Sequence, residues 1–469
     1  MFIGREAELG VLESTYQKTG FQMTVIYGRR RIGKSTLIRK FLEGKRGTYY
    51  MANQMSLEAN VRAWSAQFVE DVTPELEGVI FDNLDLFFQF MGKHCSDEKI
   101  VVALDDIPYI AEADTSFLST FQRGIDTILA KKNIYLILCG SAVSFMEKEI
   151  LSEKSPLFGR RSNQIFLKPF AYWDAAKFVP RYSYEEKAIV YGVTGGVAKY
   201  LTVFDDSQSL EDNLVNQFFS PSGYLYEETT NLLNQEFRNI VMYNMVIDVC
   251  ANGASRANEI ANKAHMSSAS LTYILKNLMM VGVISKMEPI TDEKNRKKCI
   301  YEITDGMYKF WYQFVPSGRA AIEMGRGTVY YEKNVKPRLH QYMGHIFEKM
   351  CQDYILLRGL DGGLPCVPNQ VGSWWGNDHN RKQADIDVVA IDTMSNKAIL
   401  GECKFTNSPV GKEVIDTFLS RKGLINHRYE EVMHVIFSVS GYTTWVQENA
   451  AGLGIELLGI KDLYEALRT

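Results

Sequence analysis

The sequence predicts an α/β protein of several domains, and three observations carry that expectation. The chain has 469 residues, which at roughly 150 residues per domain suggests about three domains with real hydrophobic cores. From Gln22 to about Phe170, the runs Met23–Tyr27, Ile100–Leu104 and Ile134–Leu138 are apolar on every side and alternate with longer amphipathic stretches. Such runs belong to buried parallel strands with helices on both faces. From about residue 335 the alternation starts again. A helix is expected over 338–357, strands near Val367 and over 384–391 and 398–405, a helix over 411–423 and a strand over 432–439. Neither an internal repeat nor a low-complexity segment interrupts this order.

Composition narrows the function classes. Apolar residues make up 46% and charged residues 23%, which excludes disordered and collagenous classes. The 52 Lys and Arg against 56 Asp and Glu leave a net charge of -4, so any nucleic-acid contact must be local. The seven cysteines stand as singletons at 95, 139, 250, 299, 351, 366 and 403, without a CxxC pair, as expected for a reducing cytoplasm. Neither they nor the seven histidines show the spacing of zinc, thiol or serine-triad chemistry. The opening Met-Phe-Ile-Gly-Arg-Glu puts charge where a signal peptide needs apolar residues, and no uncharged run approaches the roughly 20 residues that cross a bilayer. A soluble protein with no membrane partner is expected.

Between the two α/β regions, residues 171–230 read as a small helical lid, broken by Gly192, Gly195, Gly196 and Ser-Pro-Ser-Gly at 220–223. Residues 231–330 begin with helical stretches over 237–250, 256–264 and 268–280, followed by the segments Gly282-Val-Ile-Ser285 and Lys297–Ile303. A tight turn at His265-Met-Ser precedes a helix with Leu271, Ile274, Leu275 and Leu278 at helical spacing, the pattern of a winged helix-turn-helix.

The first chemical motif is Gly28-Arg29-Arg30-Arg31-Ile32-Gly33-Lys34-Ser35, followed by Thr36, which satisfies GxxxxGK[ST]. It follows the strand Met23–Tyr27 and precedes an apolar helix, the context a phosphate-binding loop needs. The glycines let backbone N–H groups close on a β-phosphate, Lys34 reaches the β- and γ-phosphates, and the Ser35 hydroxyl is placed for Mg²⁺. ATP with Mg²⁺ is the expected cofactor pair. The strand Ile100–Leu104 ends in Asp105-Asp106. Asp105 is the candidate on the metal side and Asp106 on the side of the attacking water.

With Phe2-Ile-Gly4-Arg5-Glu6-x-Glu8-Leu9, Leu138-Cys-Gly140-Ser141, Pro156-Leu-Phe-Gly159-Arg160-Arg161 and Gly192-Val-Thr-Gly195-Gly196-Val-Ala-Lys-Tyr200-Leu201, these motifs resemble the archaeal-type AAA+ ATPases related to the signalling STAND NTPases. The resemblance spans roughly residues 1–330. It implies an ATPase core over 1–170, Gly4 and Arg5 near the nucleotide base, Ser141 at the sensor position, and Arg160 or Arg161 as arginine finger or sensor. A finger would act in trans within a homo-oligomer. Two departures stand out: Asp105-Asp106 where the family has Asp-Glu, and Val197-Ala198 after the glycines where it has x-Pro. The shorter carboxylate of Asp106 implies slow hydrolysis or a binding switch.

The second motif lies in residues 331–469. Asp385-Ile-Asp387 and Glu402-Cys-Lys404 sit on two strands joined by a short turn, so their period of two brings Asp387, Glu402 and Lys404 together. Two carboxylates and a lysine are what metal-dependent phosphodiester cleavage needs. This resembles the PD-(D/E)XK nuclease superfamily, which adds Glu348 on the preceding helix as the acid completing the metal site. The fold without activity, or a hairpin with ordinary charge pairs, stays open beside it. In the wing, Lys294-Asn-Arg296-Lys297-Lys298 offers positive charge to phosphates, and residues 231–300 hold nine Lys and Arg against six Asp and Glu. DNA contact there stands beside packing or signal relay. Trp374-Trp375 suits base stacking less well than core packing. The sequence thus points to an ATPase coupled to nucleic-acid cleavage, with an ATP-dependent regulatory switch as its rival.

Overall fold

A computed structural model describes residues 2–95, 98–291 and 298–465. It divides into two compact units, Met1–Phe170 with Val197–Lys199, and Ala171–Gly196 with Tyr200–Thr469.

The first unit is built on strands β1 (Gln22–Tyr27), β2 (Gly47–Met51), β3 (Ile100–Asp105), β4 (Ile134–Gly140) and β5 (Asn163–Phe166), in the order β2-β3-β4-β1-β5. Every pairing is parallel. Strands β3 and β4 are buried along their whole length, as their unbroken apolar runs require. The sequence reading anticipated β1, β3 and β4 but not β2 and β5. Those two edge strands carry polar residues and lack the apolar signature. Helices Leu57–Val72, Leu84–His94 and Phe117–Thr127 cover one face through an aromatic core in which Trp64 meets Phe87, Phe88 and Phe121 at ring separations of 5.1, 6.5 and 6.2 Å. Topology sets the site. Because β4 lies between β1 and β3, the loops leaving the carboxyl ends of these three strands are neighbours, the usual ligand position in such sheets.

The second unit contains the segments expected as lid, helix-turn-helix and C-terminal domain, packed together. Helices Val241–Ala251, Ala257–Lys263 and Ser268–Met280 precede an antiparallel pair, β6 (Ile284–Met287) and β7 (Ile300–Ile303). After helices Gly306–Glu323 and Leu339–Leu360 comes a second sheet of β8 (Gln370–Asn377), β9 (Gln383–Asp392), β10 (Lys397–Lys404), β11 (Glu430–Ser438) and β12 (Ile455–Gly459), ordered β12-β11-β10-β9-β8. Its β8-β9-β10 part is antiparallel and its β10-β11-β12 part parallel. The strand expected near Val367 begins at Gln370, and β12 was not anticipated.

Buried hydrogen bonds tie these segments together. The Tyr342 hydroxyl donates to the carbonyls of Gly192 and Gly306, each at 2.9 Å, and the Tyr172 hydroxyl to that of Leu463 at 2.9 Å. Position 306 must be glycine here, since a Cβ would stand 1.9 Å from the Gly192 carbonyl oxygen. Among the described residues no helix is long and apolar enough to cross a membrane.

Candidate functional site

At the end of β1 the chain turns through residues 28–33 into helix Lys34–Leu42, with two positions demanding glycine. Gly28 has φ 147°, and a Cβ there would stand 2.4 Å from the Leu167 carbonyl oxygen; Gly33 is left-handed at φ 94°. The fully buried Ile32 anchors the loop from below. The Lys34 ammonium folds across it and donates to the carbonyls of Gly28 (3.0 Å) and Arg29 (2.9 Å). Burial pulls its pKa below the ordinary lysine value, against the pull of Cys139, Asp105 and Asp106. A charge so desolvated acts strongly on a phosphate brought to it.

The flanking residues brace the loop. Lys199 N–H donates to the carbonyl of Arg31 at 3.1 Å, and Arg30 reaches the Tyr109 hydroxyl at 3.1 Å. Thr36 is exposed on the first turn of the helix. Arg5 stacks 4.0 Å from the centroid of the Phe170 ring and donates to the carbonyls of Ile32 (3.2 Å) and Lys168 (2.7 Å).

Facing the loop, Asp105 accepts from Ser35 Oγ and from the Tyr49 hydroxyl, both on Oδ2 at 2.6 Å. Its Oδ1 accepts the N–H of Asp106, which is left-handed at φ 52°. Asp106 in turn accepts from Ser141 Oγ at 3.0 Å, the contact that β4's central position makes available. Ser35, Asp105, Asp106 and Ser141 thus form one chain of hydrogen bonds. Tyr49 was missed by sequence reasoning because nothing in the run Thr48-Tyr49-Tyr50 marks which tyrosine faces the loop. Burial and the neighbouring Asp105 raise its pKa. The two finger candidates point elsewhere. Arg160 holds Asp126 through two bonds of 2.6 Å, and Arg161 donates to the Leu151 carbonyl at 2.9 Å.

The second constellation lies where β9 and β10 part. Their pairing ends at Gly401 opposite Val388, and beyond it Asp387 Oδ2 accepts the Cys403 N–H at 2.8 Å. Asp387 and Glu402 are both buried, at 7% and 4% exposure. Burial, then the charges of Glu402 and Glu348, raise the pKa of Asp387 well above the carboxylate range, against Lys404. Glu402 Oε1 accepts from Lys404 Nζ at 2.6 Å and Oε2 from Arg421 Nη1 at 2.7 Å. Burial opposes the Lys404 ammonium, yet Glu402 and Asp387 outweigh it and raise its pKa. Glu348 pairs with His345 Nδ1 at 3.1 Å, and Asp385 is exposed, 3.4 Å from Arg421.

Asp387, Glu402 and Lys404 therefore come together, with Glu348 near enough to act on Asp387. Of the expected ligand set, Glu348 pairs with His345 and both oxygens of Glu402 meet cations, and among the described residues no group of three or more His, Cys, Asp or Glu side chains is placed to hold a metal ion. Arg421, past the end of helix Lys412–Leu419, carries no sequence signature and was not anticipated.

Of the hairpin expected to present a basic tip, only the flanks are described. Lys294, Arg296 and Lys297 lie outside the described residues. Ile290 is buried in the core of the second sheet with Trp374 and Ile386, and its N–H donates to the Ser373 carbonyl at 3.0 Å. The Lys298 carbonyl accepts from Trp375 Nε1 at 3.0 Å. Trp374 is a core residue, at 6% exposure, and not a stacking platform.

Residues 2–204 match a family described as an ATPase domain predominantly from Archaea, and residues 311–415 one described as archaeal and bacterial proteins of unknown function. The chain is 29% identical over 405 residues to an uncharacterized protein of Methanocaldococcus jannaschii, covering 86% of this chain and 88% of that one. An uncharacterized ATP-binding protein of the same organism is 46% identical over 46 residues, 10% of this chain and 78% of that one. Among solved structures, a Walker-type ATPase of Pyrococcus abyssi aligns at 20% identity and a TM-score of 0.48, covering 66% of this chain and 96% of that one. With the loop geometry above, the N-terminal match identifies a P-loop ATPase domain.

Proposed function

We propose that the chain hydrolyses ATP with Mg²⁺ at the P-loop and that this reaction governs a nuclease-type site in the second sheet. The observation that carries the first half is the hydrogen-bonded chain from Ser35 through Asp105 and Asp106 to Ser141. Ser35 Oγ and Asp105 Oδ2, 2.6 Å apart, are hard oxygen donors of the kind Mg²⁺ takes, so the residues fit the ion. Bound there, Mg²⁺ would neutralise charge on the β- and γ-phosphates. Lys34 would bind the same phosphates through its buried ammonium. Asp106 orients the attacking water, and Ser141, bonded to Asp106, reports the γ-phosphate to β4. The test is Lys34→Ala, which removes the buried ammonium. Turnover is expected to disappear with the fold intact, and unchanged ATP affinity and hydrolysis would refute the assignment.

The second half rests on the convergence of Asp387, Glu402 and Lys404 at the parting of two strands, the arrangement of PD-(D/E)XK nucleases. The substrate is a nucleic acid, DNA in the first instance. Residues 231–330 are read as a winged helix whose first strand leads into the neighbouring core through Ile290, which supports a signal-relay role for it. Wild-type protein should cleave DNA with ATP and Mg²⁺ or Mn²⁺, and Glu402→Ala should not. Absence of cleavage in the wild type leaves the regulatory switch as the function.

A further inference from the structure

The phosphate loop carries three consecutive arginines, Arg29, Arg30 and Arg31, and the middle one is turned toward the segment that holds Asp106. Arg30 Nη2 donates to the Tyr109 hydroxyl at 3.1 Å, with the guanidinium carbon 6.0 Å from the centre of the tyrosine ring. Tyr109 stands on helix Pro108–Ala113, and its own N–H donates to the Asp106 carbonyl at 3.1 Å. The fully buried Ile107 seats this turn, its N–H donating to the Cys139 carbonyl of β4 at 3.0 Å. Arg30 therefore spans the gap between the loop and the chain leaving β3. There it stands close enough to Lys34 for its charge to add to the lowering of the Lys34 pKa that burial causes. Two cations held side by side repel each other, and an anion set between them removes that repulsion.

We propose that Arg30 binds the γ-phosphate of ATP from within the same chain and stabilises the charge that develops there during hydrolysis. The inference rests on the ATPase reading of this site. It supplies the cation that Arg160 and Arg161 do not, since Asp126 and the Leu151 carbonyl hold those two. In the step itself the water oxygen bonds to the γ-phosphorus as the bond from that phosphorus to the β,γ-bridging oxygen breaks. The electron pair leaves on ADP, one water proton passes to Asp106 and on to solvent, and the other stays on inorganic phosphate. Negative charge gathers on the γ- and bridging oxygens, where a guanidinium, charged at every accessible pH, opposes it through parallel N–H bonds. Tyr109 is a neutral partner, so it sets the direction of the guanidinium without cancelling its charge. Through the Asp106 carbonyl it also ties that direction to the turn that carries the water-side carboxylate. ADP lacks the γ-phosphate, so Arg30 tells the nucleotide before hydrolysis from the one after it.

The test uses the full chain, with ADP and the non-hydrolysable β,γ-imido analogue of ATP titrated by calorimetry in one buffer, beside single-turnover hydrolysis of ATP. Arg30→Ala is expected to keep ADP affinity within about twofold, to weaken the analogue by roughly tenfold and to slow hydrolysis by roughly a hundredfold or more. Tyr109→Phe, which frees the guanidinium to wander, should slow hydrolysis several-fold at saturating ATP with ADP affinity unchanged. Adding Lys34→Ala protein, whose Arg30 is intact, should not restore turnover to Arg30→Ala. Equal weakening of ADP and analogue, or hydrolysis at the wild-type rate, in Arg30→Ala overturns the proposal and leaves the ATPase reading standing. Restored turnover in the mixture overturns its action within one chain. Wild-type protein that neither binds nor hydrolyses ATP overturns both readings. Should circular dichroism show that Arg30→Ala does not fold, Arg30→Lys replaces it. That variant keeps the charge but loses the fork, so hydrolysis must still slow with ADP affinity retained if the proposal holds.

Discussion

Tyr49 shows how one hydroxyl can hold a buried carboxylate in place. It shares Asp105 Oδ2 with Ser35, so on the proposed reading, in which Ser35 would help hold Mg²⁺, Tyr49 would keep the carboxylate oriented. A hydrogen bond to a charged group contributes about 1.5–3 kcal/mol. Tyr49→Phe should therefore leave ATP affinity close to wild type, lower turnover and raise the Mg²⁺ concentration at half-maximal rate by roughly tenfold or more. A Mg²⁺ titration of hydrolysis that superimposes on the wild-type curve would remove Tyr49 from the machinery. Arg160 presents the opposite case, a residue expected as a finger or sensor that instead meets Asp126. Its bidentate contact with Asp126 must open before the guanidinium can serve a neighbouring subunit.

Among the elements, the β6–β7 pair is the one whose setting changes its meaning. Here the chain leaving β6 sends Ile290 into the core of the β8–β12 sheet and adds a backbone hydrogen bond to Ser373 of β8. Truncating a buried aliphatic side chain costs about 2–5 kcal/mol. Ile290→Ala should lower the urea midpoint of the second unit accordingly, and a change within about 0.5 kcal/mol, typical of surface positions, would show that the hairpin is not anchored there.

On the scale of the whole molecule, the first unit is built on its own parallel sheet, while residues 171–196 and those from Tyr200 onward make a second unit. Tyr342, bonded at once to the carbonyls of Gly192 and Gly306, joins three helices of that second unit, so they are expected to unfold together. If Arg160 or Arg161 completes a neighbour's site, hydrolysis per subunit should rise with protein concentration and fall in Arg160→Ala or Arg161→Ala with ATP binding retained. Turnover that is independent of concentration would assign both arginines to their own chain, where Asp126 and the Leu151 carbonyl hold them.

Local chemistry was legible in the residues themselves. Gly28, Gly33, Lys34 and Ser35 announce a phosphate loop because that spacing lets a backbone close on an anion at a helix N-terminus. Likewise the period of two along β9 and β10 placed Asp387, Glu402 and Lys404 on one site before any fold was known. Buried strands β1, β3 and β4 declare themselves by unbroken apolar runs, whereas β2 and β5 at the edges do not. Tertiary structure alone decided the partners that arrive from distant chain positions. Tyr49 reaches Asp105 across 56 residues and Arg421 reaches Glu402 across 19. Ile290 leaves the surface because an apolar sheet face lies within reach. Such contacts depend on which elements pack together, and a side chain's own sequence neighbours carry no trace of that choice.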